Sequence, residues 1–150
     1  MNDTIYIHYG DNEFDKNKFA EIKNKQFWVK PKGGLWASRL NGINSWKRWC
    51  IAEEFCLEKL EKYFKFKLKE NTRFLQIESS NQLKYLPRVK SPIPQLEGTG
   101  IYLDFEKIKE DFDAIEVLIS KDNQLYWDLY GWDCDSLLVL NKDVIEIIKE

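Results

Sequence analysis

The chain has 150 residues, the size of one ordinary domain, and such a domain buries about two-thirds of the surface its unfolded form exposes. Its 23 Lys and Arg against 25 Asp and Glu leave a formal charge of -2, which argues against an affinity drawn mainly from nucleic-acid phosphates, and its 43% hydrophobic content excludes wholesale disorder. No apolar run approaches the roughly 20 residues of a membrane-spanning helix, and the polar start Met1-Asn2-Asp3-Thr4 is expected not to be a signal peptide. Cys50, Cys56 and Cys134 fit free thiols in a reducing cytosol, so a cytoplasmic protein is expected, with no membrane partner. With the single histidine, His8, they offer no CxxC-type pair, and no metal is expected.

In chain order, Thr4-Ile5-Tyr6-Ile7-His8-Tyr9 reads as a strand stopped by the turn Gly10-Asp11-Asn12. Period-two geometry sends Ile5, Ile7 and Tyr9 to one face and Tyr6 and His8 to the other. A short helix is predicted next, with Asp15 near its start and Phe19 and Ile22 inward, and Phe27-Trp28-Val29 begins a second extended segment. Lys30-Pro31-Lys32-Gly33-Gly34 breaks regular structure ahead of Leu35-Trp36-Ala37-Ser38. From Ser45 to Phe64 a long helix is predicted, because Trp46, Trp49, Cys50, Leu57, Leu60 and Phe64 fall on one stripe. Glu53 projects into that stripe, either paired to a buried donor or reaching water from the helix edge.

Phe74-Leu75-Gln76-Ile77 reads as a strand, and Tyr85 to Gly100 as a long irregular connection. Ile101-Tyr102-Leu103 leads to a helix near Phe105 to Phe112. Three extended runs follow, Ala114 to Ile119, Leu125 to Tyr130 and Ser136 to Leu140, and a short helix from Val144 to Ile148 ends the chain. With no repeat and no linker, the pattern predicts one α+β domain over residues 1–150, with strands concentrated at both ends.

No P-loop, GxSxG, HExxH or GxGxxG is present, and one histidine cannot supply a catalytic His pair. The candidates left are the strand of His8, the Gly34-Leu35-Trp36-Ala37-Ser38 segment, Glu53, and the acidic group Asp128, Asp133 and Asp135 among aromatics. Six tryptophans within a 15% aromatic share suit either a core or a flat-ligand pocket.

A strand ending in His8 before a small turn, a Gly-Leu-aromatic-x-Ser segment, and an acidic residue directly before Ser136 and an apolar strand resemble the ADP-ribosyltransferases. The match runs in order from Ile5 through Asp104-Phe105-Glu106-Lys107-Ile108 and Asp113-Ala114-Ile115-Glu116-Val117 to Tyr130-Gly131-Trp132-Asp133-Cys134-Asp135-Ser136. It is most similar to small bacterial and phage members, some of which serve as toxins or anti-CRISPR inhibitors. The resemblance implies two small, mostly antiparallel sheets around an NAD cleft with a long central helix, and NAD as co-substrate. It implies that His8, Tyr9, Gly10, Gly34, Leu35, Trp36 and Ser38 bind that co-substrate, with Asp135, or else Asp133, as the catalytic acid. A carboxylate under the ribose would stabilise the oxocarbenium-like state that forms as nicotinamide leaves. The family acid is most often Glu, and no Glu-x-Glu or Ser-Thr-Ser set is present here.

The expected function is therefore transfer of ADP-ribose to a protein or nucleic-acid target, a protein in preference, and it requires His8, Trp36, Ser38 and Asp135 to converge on one cleft. Two other readings stand beside it. One is a non-enzymatic inhibitory protein that engages a partner through an aromatic-rich surface. The other is single-stranded nucleic-acid recognition by Trp28, Trp36 and Trp46 beside Lys30, Lys32, Arg39, Lys47 and Arg48.

Overall fold

Short runs rich in β-branched and aromatic residues become strands, and those described all join one sheet. The structure is a computed structural model, and it describes residues 3–25, 29–89 and 101–149. Its strands are β1 (Tyr6–Tyr9), β2 (Leu35–Arg39), β3 (Tyr63–Leu68), β4 (Phe74–Ile77), β5 (Ala114–Val117), β6 (Ser136–Val139) and β7 (Ile145–Ile147). They form an open seven-stranded sheet in the order β4-β5-β6-β2-β1-β3-β7. Only β4 and β5 run parallel, and their connection carries helix α2 (Phe105–Asp111), the kind of crossover that a parallel pair needs. The α+β domain is present, but the expected division into two sheets is replaced by this single sheet. The expectations on Phe27, Trp28 and residues 90–100 lie outside the described residues.

The sheet is buried on both faces at β5 and β6, where nearly every residue is buried, whereas along β3 buried residues alternate with more exposed ones. Ile115, Val117 and Leu138 pack with Ile108 of α2, Leu125 and Leu129 near helix α3 (Asn123–Asp128), and Trp132 in one cluster. Ala114, Leu137 and Val139 belong to a second cluster with Tyr6, Phe66 and Ile145. One polar network crosses this apolar ground. Arg39 donates from Nε and Nη2 to Glu116 at 2.8 and 2.7 Å, and Gln76 Nε2 adds a bond of 2.9 Å to the same carboxylate. Glu116 is only 2% exposed, so its charge depends on these partners, which tie β2, β5 and β4 together.

The predicted helix from Ser45 is cut short. Helix α1 spans Trp46–Glu53, capped by Ser45, whose Oγ accepts from the Arg48 N–H. It ends where Glu54 takes a left-handed φ of 52° and Phe55 N–H bonds back to the Cys50 carbonyl, a 6→1 closure. A 3-10 turn at Leu57–Glu61 and then β3 follow, so Phe64 belongs to a strand. Glu53 is exposed and takes the solvent alternative. Three further segments differ from expectation. Near Phe19 only a 3-10 turn, Lys16–Lys18, forms behind the Asp15 cap, although Ile22 is fully buried. Leu125 to Tyr130 is largely helix α3 rather than strand, started by the Asp122 carboxylate accepting from Gln124 N–H. Ile145–Ile147 is an edge strand rather than a helix, because it adds period-two pairs to β3.

Gly34 shows how tightly the entry to β2 is packed. Its φ is +70°, and a Cβ there would lie 2.7 Å from the Val139 carbonyl oxygen and 2.8 Å from Ile22 Cδ1. Gly34→Ala is therefore expected to lower the unfolding free energy by about 1–3 kcal/mol, read from the denaturant midpoint. An unchanged midpoint would contradict this packing.

Candidate functional site

The cleft begins with a missing piece of ladder. β1 pairs with β3 over four positions, Tyr6↔Phe66 through Tyr9↔Tyr63, but with β2 over two, Tyr6↔Arg39 and Ile7↔Ser38. Beyond Ile7 the strands part, and the gap is bridged by a side chain. His8 Nδ1 lies 2.6 Å from the Trp36 carbonyl oxygen, and because that oxygen can only accept, the bond places a proton on Nδ1. Nε2 faces Asp11 Oδ2 at 3.1 Å, and the ring packs on Phe64 at 5.0 Å between centroids.

The parted strands floor a cavity of about 320 Å³, near the lower end of ordinary ligand sites. His8 and Tyr9 line it from β1 and Trp36 and Ser38 from β2. Ser38 is buried, and its Oγ accepts from the Trp46 N–H at 3.0 Å. That bond seats the start of α1 beside the cleft, where Trp46 joins the lining. Burial, and then Tyr63, push the Tyr9 phenol above its ordinary pKa, so it faces the cleft as a hydroxyl donor.

The opposite wall comes from the loop between α3 and β6. Trp132 is fully buried, edge-on to Trp36 at 4.8 Å and 66° and stacked on Phe105 at 6.3 Å. Anchored there, the loop delivers Asp133 to the cleft, with its Oδ2 3.9 Å from Lys30 Nζ. Lys30 also holds its ammonium over the Trp36 ring, 5.4 Å from the centroid. Cys134 lines the cavity too, but burial pushes its thiol up to about 11, so at neutral pH it is protonated and a poor nucleophile.

Other expected site residues lie elsewhere. Asp135 is not part of the lining. Its carboxylate accepts from the Ser120 N–H at 2.9 Å, the Ser120 hydroxyl at 2.6 Å and Asn44 Nδ2 at 3.3 Å, while its own N–H donates to the Asn44 carbonyl. The expected set of His8, Trp36, Ser38 and Asp135 thus does not converge, and Asp133 stands in the fourth place. Gly10 turns the chain from β1, its N–H bonded to the Lys62 carbonyl, and Gly34 is closed in by the core. Leu35 packs half-buried against the second cluster. Lys30 and Trp46 were grouped with Trp36 only in the nucleic-acid reading, and Ser136 was not singled out as a member of the site. Lys30 sits in a run that reads as a breaker, and Trp46 on a stripe that reads as core.

Among the described residues no group of three or more His, Cys, Asp or Glu is placed to hold a metal ion, and no helix is long and apolar enough to cross a membrane. Comparison with family profiles, with curated proteins and with solved structures finds no match to this chain.

The different surroundings of the two aspartates give a direct expectation. Asp135→Ala removes an acceptor from Ser120 and Asn44 and should cost about 1–3 kcal/mol in a urea titration. Asp133→Ala, which removes only a long contact to half-exposed Lys30, should leave the midpoint within about 0.5 kcal/mol. The reverse order would contradict the geometry.

Proposed function

We propose that this cleft binds NAD and that the protein transfers ADP-ribose from it to a macromolecular target, a protein rather than a nucleic acid. The observation that carries the reading is that His8, Tyr9, Trp36, Ser38 and Asp133, drawn from both ends of the chain, line one cavity. Together they offer an aromatic face, a carboxylate, an imidazole and two hydroxyls, which suits a ligand with a flat ring next to a ribose. The volume suits the nicotinamide–ribose half, with the remainder extending outward.

In the reaction the bond between ribose C1′ and the nicotinamide nitrogen breaks, and its electron pair leaves with nicotinamide. A lone pair on the acceptor forms the new bond to C1′, and the acceptor loses a proton. Positive charge gathers on the ribose between these events, and Asp133 is the carboxylate that stabilises it. Trp36 holds the ring, and the hydroxyls of Tyr9 and Ser38 orient ribose or amide groups. The slightly negative net charge of the chain, -2, favours a protein acceptor over a phosphate-rich one.

A second reading is favoured by one feature away from the cleft. Trp127 and Tyr130 are 56% and 60% exposed, with rings 8° from parallel, an aromatic patch of the kind that anchors partners. On that reading the protein binds a target without turnover. Incubating the protein with labelled NAD and a bacterial lysate separates the two. Transfer should occur and should fall on the order of 100–1000-fold in Asp133→Asn with the melting temperature unchanged. Absence of transfer, or full transfer by Asp133→Asn, would defeat the proposed chemistry, and loss of partner capture in a Trp127→Ala variant would then support the binding reading.

A further inference from the structure

The most informative contact in the cleft is an internal one. Lys30 Nζ occupies the two groups that any ligand stacking on this wall would want, the face of Trp36 at 5.4 Å and the carboxylate of Asp133 at 3.9 Å. An aromatic face carries negative potential and a carboxylate a full negative charge, so the pair recognises a cation. Lys30 is held there loosely. Its side chain is 37% exposed, and a long ammonium stem returns to water at little cost. The backbone two to four residues further on, by contrast, is tied down. The segment is clipped by paired N–H and carbonyl groups of Lys23 and Lys32, at 3.1 and 2.8 Å, and Gly34 N–H bonds to the Ala20 carbonyl at 2.9 Å.

We infer that Lys30 is a built-in occupant of a cation subsite, and that the ligand class of this subsite is a flat organic cation of the N-alkylpyridinium type, which displaces the ammonium on entry. This deepens the transferase reading, because the nicotinamide ring of NAD carries that charge, but it is tested without NAD. On displacement Lys30 moves off Trp36 and leaves the Asp133 carboxylate facing the incoming positive charge. The opposite role for the lysine, a clamp for an anionic group, predicts the opposite effect of removing it.

The probes are 1-methylnicotinamide, a permanent cation, and nicotinamide, its neutral counterpart, titrated into the full chain by calorimetry and by tryptophan quenching. Lys30→Met, with Lys30→Gln as a second variant, should bind the cation about tenfold more tightly than the parent and should bind the neutral amide unchanged. Adding Asp133→Asn should remove most of the preference for the cation. Unchanged or weaker cation binding in both lysine variants, equal gains for the two probes, or no cation binding by any of the proteins would overturn the inference. Its failure is distinguishable from that of the transferase reading. Tighter cation binding without ADP-ribosyl transfer would leave the subsite standing and remove the enzyme, whereas transfer by the parent with no gain in the lysine variants would remove the subsite alone.

Discussion

The bond from His8 Nδ1 to the Trp36 carbonyl is the contact on which the cleft depends. A sheet that stays paired has no room between adjacent strands, and a sheet that loses pairing leaves buried backbone groups without partners. Here β1 and β2 stop pairing after two positions, and the imidazole reaches the first carbonyl the ladder abandons. The strands can therefore part while the carbonyl stays satisfied. On one side β1 keeps its full register with β3, and on the other β2 keeps its register with β6, so the opening is local and its walls are rigid.

Packing then decides which polar groups face that opening. Trp132 is wedged between Trp36 and Phe105, and its indole N–H is buried without a hydrogen-bond partner among the described residues. Leaving such a donor unpaired costs about 1–3 kcal/mol. In exchange, the loop that carries Asp133 is fixed against the same tryptophan whose face the cleft presents. Cys134 faces the same cavity with its thiol buried and protonated, whereas Asp135 turns to cap Ser120. Three consecutive residues thus have three separate tasks, and only the first puts a charge in the cleft.

Much of this was legible in the sequence and some was not, for identifiable reasons. β1, β4, β5, β6 and α2 follow from apolar runs bounded by turn residues, and the segments of His8, Trp36 and Ser38 stood out as candidates, while their meeting in one cleft was implied only by the family resemblance. The end of α1 was not legible. Neither Glu54 nor Cys56 is a glycine, yet both take positive φ, so the stop carries no residue signal, and Leu57 and Phe64 continue the helical spacing by coincidence. α3 was hidden by Leu125-Tyr126-Trp127, whose strand propensity outweighed the Asp122 cap. The choice between Asp133 and Asp135 was beyond sequence reasoning, because period-two alternation holds in a strand and these residues precede one. Lys30 was grouped with Trp36 only as part of a basic stretch, since a lysine beside proline and glycines reads as solvated loop, and only the fold brings it over the Trp36 ring.

Because His8 is the only histidine, its ring nitrogens give unambiguous signals, and a nitrogen-15 NMR spectrum of the imidazole tests the account most directly. The structure predicts a proton resident on Nδ1, protected from exchange with water and close in space to the protons of Trp36 and Ala37. A ring protonated only at Nε2, or an Nδ1 proton that exchanges as freely as in an unfolded peptide, would contradict the latch between β1 and β2 and with it the cleft as described.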